Sequence, residues 1–348
     1  MAQINFTAGQ PKIKTFTLGN AVFIAPSLHT SRVTLSMLLL LVALFYLALS
    51  LGREGMDNPF LAMETPYQEF ILLQIRLPRA LVAIGVGMTL ALSGSLFQLT
   101  TRNALGSPDI IGINAGAAVG IMVALLFWPS ILPVPLGALL GACLAVLLVY
   151  IGNGSGVGNM QANKIVISGI AVAAFFMAFV DFAISNIRIE QAQQISSLLR
   201  GSLASRRWQD VGLISGMVIF IPFLCWLGRQ LNYTHFGDDI ANTLGVPVRF
   251  IRIVSILLAV TFATMSVLVV GPVAFIALSA PQIARRLVRA KGAALLCSAL
   301  VGALLMLASD LITLILPTVA RLPVGVITAV VGGIYLMYLL YAELRRTR

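Results

Sequence analysis

Hydrophobic positions in this chain come in long unbroken runs, separated by short polar segments. The longest run, from Ile110 to Asn163, holds no Lys, Arg, Asp or Glu. As one helix it would reach about 80 Å at roughly 1.5 Å per residue, far past a hydrocarbon core of about 30 Å. It must therefore fold back on itself. Trp128-Pro129 and Pro133-Val134-Pro135 mark the break, because proline lacks an amide hydrogen and fixes φ. The same reading along the chain gives ten membrane spans, at about 33–52, 80–101, 111–127, 134–151, 164–184, 211–227, 253–270, a short eighth after Gly271-Pro272, 293–312 and 323–341. Continuous runs of this kind lack the polar-in alternation of a membrane barrel. The expectation is an all-α membrane protein with a cytoplasmic tail over 1–30 and a transmembrane domain over 31–348.

Composition agrees with that expectation. Charged residues make up 10% of the chain and hydrophobic ones 59%, against about 25% charged in an average soluble domain. Cys143, Cys225 and Cys297 all fall inside apolar runs and read as small hydrophobes, not as a disulfide framework or a metal site. Charge also sets the orientation. With both termini inside, 15 of the 23 Lys and Arg lie on the cytoplasmic side, and the outer segments hold eight basic and eight acidic residues. The whole net charge of +11 then lies on the cytoplasmic face, which is the positive-inside pattern and not a nucleic-acid groove. Glycines four apart at Gly116/Gly120, Gly137/Gly141 and Gly212/Gly216 point to close helix packing.

The chain carries little chemistry of its own. None of its four lysines follows a phosphate-binding glycine loop, His29 and His235 lie too far apart for a zinc set, and no Ser-His-acid grouping stands out. Proton-driven carriers place acidic residues within their spans. Only Asp181 and Asp310 approach that, both near outer ends. The residues favour a passive scaffold moved by something else.

The polar segment from Gly237-Asp238-Asp239-Ile240-Ala241-Asn242-Thr243-Leu244-Gly245 to Val246-Pro247-Val248 reads as a short cytoplasmic helix, with Asp238 or Asp239 available as N-cap and Gly245 as its stop. It is similar to the coupling loop of FecCD-type ABC importer permeases, which move iron–siderophores, haem and cobalamin. Further stretches resemble that family in the same order. They are Arg76-Leu77-Pro78-Arg79, Arg102-Asn103-Ala104-Leu105-Gly106-Ser107-Pro108-Asp109, Gly201-Ser202-Leu203 with Trp208, Gly271-Pro272-Val273-Ala274-Phe275, and Leu322-Pro323-Val324-Gly325. The coupling segment and Gly332-Gly333-Ile334-Tyr335-Leu336 look most like the second permease subunit of ferric-enterobactin importers.

The resemblance implies a ten-helix type II importer bundle like that of the cobalamin permease, with no catalytic residue and no cofactor or metal bound by this chain. ATP and Mg²⁺ would act at a separate ATPase. The implied assembly pairs this chain with a related second permease, two ATPase subunits and a periplasmic siderophore-binding protein in the inner membrane. Asp238, Asp239, Ala241, Leu244 and Gly245, within a coupling loop of about 237–249, would seat in the ATPase. Asn103 and Leu105 would narrow the cytoplasmic exit, near the glycine-rich stretch 159–163; a plain turn is the other reading. Arg76 and Arg79 either anchor to lipid headgroups or, as the resemblance implies, receive acidic side chains of the binding protein, with Arg321 a third contact.

The chain departs from the family pattern at Ala104, Leu198, Gln282 and Leu314. The implied cargo is a ferric siderophore, a catecholate such as ferric enterobactin first. Haem or cobalamin are alternatives within the class. Outside it stands an ion-coupled carrier using Asp181 and Asp310.

Overall fold

The computed structural model describes residues 15–18, 21–24, 28–52, 55–56, 65–128, 131–153, 162–199, 201–234, 236–289, 292–316 and 322–346. Two short antiparallel hairpins flank the first helix, α1 (Leu28–Ser50). β1 (Thr15–Leu18) pairs with β2 (Ala21–Ile24), and β3 (Leu51–Gly52) with β4 (Gly55–Met56). They amend the expectation of a purely helical chain. The first follows from β-branched and aromatic residues in Thr15-Phe16-Thr17 and Val22-Phe23-Ile24.

The second span starts earlier than the polarity suggested. α2 (Pro66–Ile71) continues through a π-helical turn (Leu72–Arg76) into α3 (Leu77–Thr101). The Thr65 hydroxyl accepts the Gln68 amide at 3.4 Å, and Pro66 occupies the first turn, where its missing amide needs no partner. The widened turn lies just ahead of Pro78, which already lacks one rung of the helical ladder.

The rest of the chain is helical: α4 (Ile113–Leu126), α5 (Val134–Asn153), α6 (Ala162–Ser185), α7 (Ile189–Leu199), α8 (Trp208–Ser215), α9 (Ile221–Thr234), α10 (Asp238–Thr243), α11 (Val248–Val270), α12 (Ile276–Leu287), α13 (Leu295–Ile315) and α14 (Val324–Arg346). Among the described residues six helices are long and apolar enough to cross a membrane, and two shorter apolar ones, Ile113–Leu126 and Val324–Tyr338, accompany them. The sixth expected span is instead split: α8 and α9 are joined by a 3-10 segment, Gly216–Phe220. α12 is short as expected, about 18 Å at roughly 1.5 Å per residue.

α3 is the axis of the bundle. It is buried on nearly every side and packs against α8, α11, α12 and α13. A Cβ added at Gly87 would lie 2.3 Å from the Gly302 carbonyl oxygen, so α3 and α13 touch backbone to backbone. α4 and α5 meet in the same way, since a Cβ at Gly120 would fall 2.0 Å from the Gly137 oxygen and one at Gly116 2.4 Å from the Gly141 oxygen. The third glycine pair does not behave so. Nothing lies within 4 Å of a Cβ at Gly212 or Gly216, and their spacing marks no contact between described residues.

Candidate coupling and gate site

At one end of the bundle the last turn of α9 leads through Gly237, whose φ is +109°, into α10. Gly237 is the N-cap, which corrects the expectation that Asp238 or Asp239 would cap the helix. Both aspartates instead sit in the first turn, where the amide ends of the helix favour negative charge. α10 stops as the sequence suggested. Gly245 has φ +81°, its amide donates to the Asn242 oxygen at 3.0 Å, and the Val246 amide donates to the Ala241 oxygen at 3.0 Å. This pair of bonds is the Schellman stop.

The two faces of α10 differ sharply. Ala241 is fully buried together with Val246, so it packs α10 onto the bundle and is not presented to a partner, contrary to expectation. Phe236, Ile240 and Leu244 are 69%, 52% and 60% exposed, and Asp239 and Gly245 lie on the same open side. Phe236 and Ile240 were missed by the sequence reading. An apolar run beside a short helix could have flagged them.

Asp238 has two partners. Arg102 donates to its Oδ1, and Arg252, in α11, donates to the same oxygen at 2.9 Å. Arg102 caps the C-terminus of α3 in a left-handed conformation, φ +50°, and also donates to the Thr234 carbonyl at the end of α9.

The loop between α3 and α4 begins at the next residue. The Asn103 Oδ1 accepts the Leu105 amide at 2.9 Å and the Asn103 carbonyl accepts the Gly106 amide at 3.0 Å, a turn closed by the side chain. Ala104 therefore needs no proline to hold the bend. The buried Gln282 of α12 donates to the Ala104 oxygen at 2.8 Å, which gives this departure from the family pattern a structural task. Gln98 of α3 adds a second tie, donating to the Leu278 oxygen at 3.0 Å and accepting from Arg285. Leu105 stands half exposed beside these anchors. Deeper in the loop, the Asp109 carboxylate accepts the Phe275 amide at 3.2 Å and the Asn114 side-chain amide.

At the other end of α3 the expected docking arginines have internal partners. Arg76 donates to the Leu49 and Ser50 oxygens at 2.9 and 3.3 Å and so closes the C-terminus of α1. Arg79 turns its Nε and Nη2 edge to Asp310 in α13, at 2.7 to 3.2 Å. That edge points into the bundle and not outward, a correction for Arg79. Asp310, 2% exposed, is thus paired with a guanidinium inside the bundle. Asp181 lies exposed on α6. Arg321, the stretch 154–161 and the side chains of Asn163 and Leu198 lie outside the described residues. Among the described residues no three His, Cys, Asp or Glu side chains cluster as a metal site would need.

A bundle of long apolar helices, with a short capped helix displayed at one end against a hydrogen-bonded loop, has the make-up of a membrane protein. Comparison with known proteins agrees. The model of the FecCD transport family matches residues 35–342. The ferric enterobactin transport system permease protein FepG of Escherichia coli is 37% identical over 79% of this chain and 84% of its own length. The Fe(3+)-citrate import system permease protein YfmE of Bacillus subtilis is 35% identical over 84% of this chain and 86% of its own. A solved chain of a metal-chelate type ABC transporter, in an inward-facing conformation, superposes with a TM-score of 0.79 at 28% identity, covering 90% of this chain and 99% of its own. The chain belongs to the FecCD transport family. It is thus a multi-pass membrane component of an ABC importer, a system in which a separate subunit hydrolyses ATP and a binding protein supplies the substrate. Membership in that family removes the ion-coupled carrier as a reading.

Proposed function

We propose that this chain is a permease subunit of an ATP-driven importer that carries a ferric siderophore across the inner membrane. The observation that carries the proposal is the open edge of α10, where Phe236, Ile240 and Leu244 lie bare beside Asp239. Covering a large apolar side chain is worth about 1.5–3 kcal/mol when burial is complete. Three such groups on and beside a short, capped helix suit the groove of an ATPase. The α10 end is then cytoplasmic, as the positive-inside count requires, with both termini on that side and ten crossings in all. ATP and Mg²⁺ are bound by the ATPase and not by this chain.

The partner permease in this reading is a related second chain, and the binding protein docks at the end of the bundle where α3 begins. The similarity to FepG makes a catecholate such as ferric enterobactin the first cargo to test, with ferric citrate, carried by relatives of nearly equal identity, as the comparison cargo.

The experiment is uptake of radiolabelled ferric enterobactin and ferric citrate into proteoliposomes holding the whole transporter, with loaded binding protein outside and ATP inside. Uptake should require ATP and the ATPase subunit. Leu244→Asp should leave membrane insertion intact, release the ATPase and reduce uptake at least about tenfold, the equivalent of about 1.4 kcal/mol of lost contact. ATP-independent uptake, or a Leu244→Asp transporter that copurifies with its ATPase and works as the parent does, defeats the proposal.

A further inference from the structure

The bonds around Asp238 connect two segments that the proposed function treats separately. α10 has only six residues, and by itself a helix that short transmits little. Its buried side, through Ala241 and Val246, fixes it to the bundle, and its first turn meets the ends of three longer helices. Arg102 reaches Asp238 from the end of α3 and the Thr234 oxygen from the end of α9, while Arg252 reaches the same carboxylate oxygen from the start of α11. Three helix termini thus meet at one carboxylate, and Arg102 ties the end of α9 to them.

Arg102 is also the first residue of the exit loop's own anchorage. Its left-handed backbone is a conformation that a residue with a Cβ adopts at a cost, and here two bonds from its own side chain accompany it. Asn103 and Leu105 follow at once. Two residues after Arg102, the Ala104 carbonyl is held by Gln282. The loop is therefore tethered to α10 at one point and to α12 at another. A displacement of α10 pulls directly on the residue that starts the loop, and Gln282 fixes the point about which the loop turns.

We propose that Asp238, bridged by Arg102 and Arg252, is the strut that passes movement of α10 to the exit loop 102–112. It thereby sets how much cargo moves per ATP hydrolysed. The assignment rests on α10 being the ATPase contact. Asp238 and Arg102 are positioning residues in this account: they touch neither ATP nor cargo. The two arginines on one carboxylate suit the role because the bonds are strong and charge-assisted, yet the group is open enough for water to replace them during a stroke. Asp238 is 32% and Arg102 39% exposed.

The test uses the complete transporter in proteoliposomes and measures ATP hydrolysis and cargo uptake together. Asp238→Asn and Arg102→Ala should each keep the ATPase bound and hydrolysis within about twofold, while cargo per ATP falls about tenfold, the equivalent of about 1.4 kcal/mol of coupling. The double variant should be no worse than either single one, and Arg102→Lys should recover part of the ratio. A second readout follows the loop itself. With Cys143, Cys225 and Cys297 replaced by Ala, a Leu105→Cys transporter should react with an impermeant maleimide at a rate that changes with ATP, and Asp238→Asn should abolish that change. Cargo per ATP within about twofold of the parent in Asp238→Asn, additive losses in the double variant, or an unchanged response of Leu105→Cys would each overturn the strut. A failure of the coupling reading looks different. It appears as Leu244→Asp retaining its ATPase, whatever Asp238 does.

Discussion

An arginine–aspartate contact stands at each end of α3, and the two are built differently. At the start of the helix, Arg79 grips both oxygens of Asp310, a carboxylate 2% exposed on the neighbouring α13. The helices so joined are 25 and 21 residues long and touch through Gly87 and Gly302. At the end of the helix, Arg102 shares Asp238 with Arg252; Arg102 and Asp238 stand partly in solvent, Arg252 is mostly buried, and the three join a six-residue helix and a loop. A charge pair inside a bundle cannot be parted without leaving an unsolvated ion. A half-open triad can exchange a bond for water. The same two residue types therefore lock one end of the axis and leave the other able to give.

The largest effect expected from this contrast is at the locked end. Arg79→Ala strands the Asp310 carboxylate and should destabilise the protein by about 3–5 kcal/mol, seen as a lowered melting temperature in detergent or as lost folded yield. Arg79→Met combined with Asp310→Leu should recover most of that loss, since an apolar pair of similar volume removes the stranded charge. A single Arg79→Ala variant that melts with the parent would show that the pair locks nothing.

Arg102→Ala sharpens the comparison with a smaller number. Arg252 stays on Asp238, and both partners in the lost contact are partly solvated, so the stability cost should be about 1 kcal/mol or less. The same melting measurement applies. If Arg102→Ala and Arg79→Ala cost the same, the two ends do not differ in the way proposed, and the loss of transport in Arg102→Ala would be a folding defect.

What the sequence disclosed follows the range of the interactions involved. The six long apolar helices were legible because a run of apolar residues is a local signal with a length set by the membrane. The stop of α10 at Gly245 was legible for the same reason, since the Schellman bonds stay within six residues. The start of the second span was not, because Glu69 and Arg76 made α2 and the widened turn look like a loop. α7 was hidden inside a polar stretch, its Gln and Ser residues masking helical spacing. Pairing was the least legible. Arg102 and Asp238 are 136 positions apart and Arg79 and Asp310 are 231 apart, and nothing local joins them. The glycine pairs teach the same lesson. The identical four-residue spacing is used at Gly116/Gly120 and Gly137/Gly141 and not at Gly212/Gly216, because only the first two find a facing backbone.

The smallest effect concerns how α10 is kept stiff enough for the coupling role proposed for it. A Cβ at Gly245 would meet nothing within 4 Å, so space is no obstacle there. Conformation is the obstacle, because φ is +81° and an L side chain in the left-handed region costs about 1 kcal/mol. Gly245→Ala should therefore leave the overall melting temperature nearly unchanged. It should still loosen the bond from the Val246 amide to the Ala241 oxygen, and the Val246 amide should exchange its hydrogen roughly fivefold faster, the equivalent of about 1 kcal/mol of local opening. Gly212→Ala is the matched control. Its Cβ also meets nothing, but it lies inside α8 with no positive φ, so the change should be neutral or gain up to about 1 kcal/mol of helix propensity. Cargo moved per ATP should fall modestly in Gly245→Ala and not at all in Gly212→Ala. Equal exchange at Val246 in parent and Gly245→Ala would mean that Ala241 and Val246 hold α10 by burial alone, with the glycine stop adding nothing to its stiffness.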